Sequence, residues 1–293
     1  MSLRELAKRL AVAALGVPLT LVLIFFGGWA LTAGLAFIAA VATREFFALG
    51  EAQGIRGFAW IGTLGAAALI LAAGATRGFE GGAPWAFGIL LGVFLASAAA
   101  SVWLRWPEGR PLTATALTLA GALYTGGPLS FAIFLRHLPD LQGGFSSGLP
   151  WQGPILLAFP LAITWIGDSA AYFFGTLLGN RKLIPTVSPG KTVVGGVAGL
   201  GSSVLVGAVV GWLALGLHPD PRLSAFLGGG IGLLLGVTAP VGDLVESVFK
   251  REVGVKDSGS FFPGHGGMLD RFDATIYTLP LAYVLVRVAG VFQ

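Results

Sequence analysis

The sequence predicts an all-α fold, a polytopic integral membrane bundle of about nine transmembrane helices. Three observations predict it. The chain has a mean hydropathy of +0.83 over 293 residues, 55% of them hydrophobic and only 11% charged. Apolar stretches of about 20 residues, the length that crosses a hydrocarbon core, recur from end to end. The basic residues gather at the ends of those stretches with a strong bias to one side. Together these exclude a soluble globular protein and give the sequence pI near 9.7 a topological rather than a nucleic-acid-binding meaning. The absence of cysteine excludes disulfides, thiolate zinc sites and cysteine nucleophiles, so any metal must be held by oxygen or histidine.

Arg4, Lys8 and Arg9 precede the first apolar run, 9–26, which continues past Pro18 without a small-residue cleavage site and reads as a retained span rather than a signal peptide. The second, 29–49, follows after Gly27 and Gly28 alone, a link short enough that the pair also fits a re-entrant hairpin. Spans 58–76, 83–104 and 112–135 come next, then a connector, 136–153, rich in Gly, Ser and Pro with Asp140 as its one acid. Spans 154–178, 193–215, 223–249 and 271–292 complete the chain. With a cytoplasmic N-terminus, 14 of the 18 Lys and Arg residues fall on the cytoplasmic side. The expected location is the cell membrane, multi-pass. The whole chain, 1–293, reads as one membrane domain, with spans in 1–136 serving packing and lipid contact and those in 154–293 carrying the chemistry. Glycines four residues apart, Gly195/Gly199, Gly207/Gly211 and Gly228/Gly232/Gly236, predict closely packed helices. No inverted internal repeat of the transporter kind is evident.

The chemistry is expected in the run 247–273, which places three aspartates, a glutamate, two lysines, two arginines and a histidine between two apolar segments. The acids within or at the edge of spans are read as clustering in the C-terminal half: Asp168, Asp243, Glu246, Asp270 and Asp273. Asp243/Glu246 and Asp270/Asp273 are each three apart, so each pair projects from one helical face and can share a divalent cation. The alternative is closure of these acids in ion pairs with Lys250, Arg251 or Arg271. Hard oxygen donors without thiolate point to Mg2+ or Mn2+. A second cluster, GNRKLIPTVSPGKT at 179–192, is expected to be a loop. It lacks the first glycine and the preceding strand of a P-loop, but it offers Arg181, Lys182, Lys191, Ser188 and Thr192 ahead of a helix N-terminus, where backbone N–H groups favour phosphate. A topogenic basic loop is the competing reading. A third, the turn Pro263-Gly264-His265-Gly266-Gly267, lets backbone approach a ligand, with His265 either a substrate contact or a structural residue. His137 and His218 fall on the opposite side, so a Ser-His-Asp triad is disfavoured. These residues argue for metal-assisted handling of a phosphate compound at the cytoplasmic membrane surface.

Ser247-x-x-Lys250-Arg251, Lys256-Asp257-Ser258-Gly259 and Pro263-x-His265-Gly266-Gly267-x-x-Asp270-Arg271-x-Asp273 resemble the signature of the phosphatidate cytidylyltransferases, or CDP-diacylglycerol synthases. The resemblance extends to Gly242-Asp243-Leu244-x-Glu246-Ser247, to Asp168-Ser169-x-Ala171-Tyr172, and to Ser188-Pro189-Gly190-Lys191-Thr192, and so covers roughly the last 130 residues. One departure stands at Val193 and Val194, where the family usually has Trp followed by Glu or Gln. The resemblance implies transfer of CMP from CTP to phosphatidic acid, giving CDP-diacylglycerol and pyrophosphate, with magnesium required. It implies metal held by Asp243, Asp270 and Asp273, with Glu246 beside them, and catalytic roles for Lys250 and Arg251. Substrate contacts are implied for Asp168, Tyr172, Ser188, Lys191, Thr192, Lys256, Asp257, Ser258, His265, Gly266, Gly267 and Arg271. The expected partners are the two substrates and membrane lipid, with a second copy of the chain as an option and nucleic acid excluded. The rivals are a CDP-alcohol phosphotransferase, whose Asp-Gly-x-x-Ala-Arg is missing here, and a cation-coupled transporter.

Overall fold

The computed structural model describes residues 3–142, 151–262 and 266–290. Among them nine α-helices follow in order: α1 (Leu3–Phe26), α2 (Gly28–Ala52), α3 (Ala59–Thr76), α4 (Phe79–Leu104), α5 (Pro111–Gln142), α6 (Gln152–Leu178), α7 (Val193–Val210), α8 (Pro221–Glu252) and α9 (Leu269–Gly290). Eight are long and apolar enough to cross a membrane, α7 counted with the π-helical turn Gly211–Leu215 that extends it. In the first helix the described apolar stretch is the shorter Gly16–Phe26. The expected polytopic helical fold is therefore present. Of the expected connector 136–153, residues 136–142 instead extend α5, 152–153 open α6, and 143–150 lie outside the described residues.

The segment 179–192, expected as a loop, is instead a two-stranded antiparallel hairpin of β1 (Lys182–Ile184) and β2 (Ser188–Thr192), pairing Lys182 with Thr192 and Ile184 with Ser188. The Pro-Thr-Val linker leaves the chain short enough to fold back on itself, and a further bond from Val193 N–H to the Arg181 carbonyl closes the base at 2.9 Å.

Two compact units divide the chain. The first comprises Met1–Phe134 with Phe249–Phe272, the second Leu135–Val248 with Asp273–Gln293. In the first, Phe47 lies over Gly57, Gly62 and Gly121, each of which would crowd the ring if it carried a Cβ. The Thr43 and Thr125 hydroxyls lie 2.6 Å apart, each also within reach of the carbonyl four residues earlier, so both O–H protons have acceptors that lipid cannot offer. In the second, the glycines predicted to pack do so. A Cβ on Gly199 would meet the Gly167 carbonyl at 3.1 Å, and one on Gly211 the Ser224 carbonyl at 2.5 Å. Gly207 sits against Gly228, and Gly236 against Ser203. Without side chains at the crossing, α6, α7 and α8 approach to backbone contact, as small residues allow in a bilayer.

Candidate active site

In the second unit, the hairpin delivers Lys191 to α8. Its ammonium makes an ion pair of 2.6 Å with Asp243 Oδ2 and donates a longer bond, 3.4 Å, to the Pro240 carbonyl. Asp168, on the α6 turn whose Gly167 packs against α7, interacts electrostatically with both Asp243 and Lys191. Gly242 makes another backbone crossing: a Cβ there would meet the Asp273 carbonyl at 2.6 Å and Ala274 Cα at 3.0 Å. This fixes the segment that bears Asp243 against the start of α9, where Asp273 Oδ1 accepts the Ala274 N–H at 2.6 Å. Thr192 is buried and its hydroxyl accepts the Gly195 N–H at 3.1 Å, capping α7. That hydroxyl is thus engaged in folding. Tyr172 is exposed, Ser188 half-buried, and Glu246 fully buried at 0%.

In the first unit, Lys250 stands on α8 seven residues after Asp243, at the end of the helix. It pairs with Asp270 Oδ1 at 2.6 Å. The other oxygen of Asp270 accepts from Gly267 N–H at 2.7 Å, Ser258 N–H at 2.9 Å and Ser258 hydroxyl at 3.0 Å. Ion-pair closure, the alternative to metal sharing, is therefore what Asp270 shows here, and both its oxygens are engaged. Arg251, Lys256, Asp257 and Arg271 are exposed, with the Arg251 guanidinium donating to the Val255 carbonyl at 3.2 Å. Gly266 has φ +81, a conformation that favours glycine. His265 lies outside the described residues.

The reading that acids in spans cluster in the C-terminal half is corrected by Glu45. This residue of α2 is 9% exposed and accepts from Met268 N–H (2.9 Å), Leu269 N–H (2.8 Å) and the Ser258 hydroxyl (3.2 Å). An N-terminal helix thus holds the glycine-rich segment. The signal was the acid itself inside the apolar run 29–49.

Among the described residues, no three Asp, Glu or His side chains come together as a metal cage. What the fold and these groups define is a polytopic helical membrane protein equipped with ammonium groups, hydroxyls and carboxylates suited to phosphate chemistry. A sequence model of the Cytidylyltransferase family matches residues 7–289, and the chain belongs to that family. Its relatives include a phosphatidate cytidylyltransferase from Synechocystis sp., 33% identical over 299 residues that cover 95% of this chain and 96% of the relative. Uncharacterized protein YnbB of Escherichia coli K12 is 39% identical over 68% of this chain and 62% of its own length. A phosphatidate cytidylyltransferase of Staphylococcus aureus strain COL is 42% identical over 46% of this chain and 50% of its own.

Proposed function

We propose that the protein transfers CMP from CTP to phosphatidic acid, forming CDP-diacylglycerol and pyrophosphate for phospholipid synthesis. The observation that carries this is the near end-to-end similarity to the Synechocystis phosphatidate cytidylyltransferase, and the lysine and carboxylate chemistry agrees with it. A phosphatidate oxygen bonds to the α-phosphorus of CTP while the bond from that phosphorus to the bridging oxygen breaks, and pyrophosphate leaves with the electron pair. The attacking phosphate monoester has a second pKa of about 6, so it is largely ionised at neutral pH and needs no strong base. The obstacle is the approach of two anions. Lys191 supplies positive charge from the hairpin, and the exposed Arg251 and Lys256 can meet further phosphoryl oxygens.

The donor set fits magnesium in one respect. Mg2+ is commonly bound through one or two carboxylates, with water and substrate phosphates completing its shell. Asp243, 37% exposed at its side chain, would hold it together with its electrostatic neighbour Asp168. Asp270 fits less well, because both its oxygens already have partners. Bound there, the ion would supply charge neutralisation for the triphosphate.

The distribution of Lys and Arg supports a cytoplasmic N-terminus and hairpin, with the active site on that side of the cell membrane. The test is release of pyrophosphate by the purified protein given CTP, phosphatidic acid and Mg2+. Silence with this pair, together with turnover of CDP-diacylglycerol and an alcohol, overturns the reading.

A further inference from the structure

The charged segment near the start of α9 is organised by a carboxylate more than 200 residues away in sequence. Glu45 accepts two successive backbone N–H groups, Met268 and Leu269, at the first turn of α9, where such donors lack intrahelical partners and the helix dipole favours an anion. The single Ser258 O–H lies between Glu45 (3.2 Å) and Asp270 (3.0 Å) and is shared by the two carboxylates. Two glycines are shaped to Glu45: a Cβ on Gly259 would lie 2.7 Å from Glu45 Cδ, and one on Gly267 would lie 2.6 Å from the same atom. Gly267, in the turn whose glycines suggest ligand approach in the sequence, thus admits a protein carboxylate. Ser258 and Gly267 are the same residues that donate to Asp270, which in turn holds Lys250.

We propose that Glu45 is a positioning residue for the transfer reaction: it holds Ser258 and the 267–269 backbone in the arrangement that fixes Asp270 and, through it, the Lys250 ammonium. This rests on the cytidylyltransferase reading above. Glu45→Gln tests it, because the amide keeps the volume but replaces one acceptor with an NH2 that faces N–H donors. In detergent-purified full-length protein, kcat should fall about 10- to 100-fold, the scale set by small misplacements of reacting groups, while KM for CTP stays within about threefold. Hydrogen exchange in a peptide covering 266–272 should accelerate, with the other helices unchanged. Glu45→Asp, which restores the charge on a shorter arm, should recover part of kcat.

Wild-type kcat in Glu45→Gln overturns the proposal. So does loss of activity with unchanged exchange in that peptide, and so does general acceleration of exchange with lowered thermal stability, which marks a merely structural role. If the wild-type protein itself does not release pyrophosphate from CTP and phosphatidic acid, the functional reading fails. The exchange difference then still reports whether Glu45 holds the segment.

Discussion

Two lysine–aspartate pairs of equal length, 2.6 Å, serve different ends in the two units. Lys250 and Asp270 have side chains only 11% and 6% exposed, and Asp270 receives three further donors. Lys191 and Asp243 are 26% and 37% exposed, and among the described residues Asp243 Oδ1 accepts a long bond, 3.4 Å, from the Ser247 hydroxyl. The first carboxylate is buried with both oxygens engaged, an arrangement suited to holding geometry. The second retains solvent access, which suits a carboxylate that would exchange its lysine for a metal ion while the lysine meets phosphate. Pair length alone reveals nothing of this difference; burial and the count of donors do.

Neutralising each aspartate in turn is expected to separate the two pairs most strongly. Asp270→Asn is expected to abolish turnover and also to lower thermal stability, since removing one member of a buried, hydrogen-bonded pair costs about 3–5 kcal/mol. Asp243→Asn is expected to abolish turnover with a change of about 1 kcal/mol or less, the scale of an exposed pair. Unfolding in detergent, followed alongside pyrophosphate release, checks both. Equal stability losses would erase the distinction between a holding and a working carboxylate.

Lys191→Ala should have a smaller effect, concentrated in KM for CTP, because its charge meets phosphate in both ground and transition states. A rise of about tenfold or more in KM with kcat nearly kept is the expected result of losing one charged contact. An unchanged KM would return the hairpin to a topogenic role and leave Asp243 as the only member of its pair that contacts substrate.

Much of this was legible in the sequence because it is local. Span positions follow from apolar runs, and the glycine seam of α6, α7 and α8 from four-residue spacing. The importance of the run 247–273 follows from charge placed where charge is costly. The fate of each carboxylate was not legible. That Asp270 and Asp273, three apart on α9, have different partners depends on tertiary donors at Ser258 and Gly267, which helical spacing cannot supply. Glu45 escaped for the same reason: its contacts span 213 to 224 residues, and beside Arg44 it reads as an ordinary charged pair. The hairpin escaped because its strands are three and five residues long, contain Pro189 and Gly190, and show no alternation of apolar residues.

The mildest perturbation asks whether both lysine–aspartate sets serve substrates from one side of the membrane. Thr186, between the hairpin strands, and Ser260, in the segment after α8, are both exposed, and neither is assigned a role in the reaction. The chain has no cysteine, so Thr186→Cys and Ser260→Cys each create the sole thiol. Both variants are expected to keep wild-type turnover and to resist a membrane-impermeant thiol reagent applied to intact cells, then to react once the membrane is opened. CTP is made in the cytoplasm, and a nucleotide of that charge does not cross lipid unaided, so a group that handles its phosphates has to face that side. Labelling of Thr186→Cys from outside would remove Lys191 and Asp243 from contact with CTP. Labelling of Ser260→Cys alone would do the same for Lys250 and Asp270, and would confine the working chemistry to the more exposed pair.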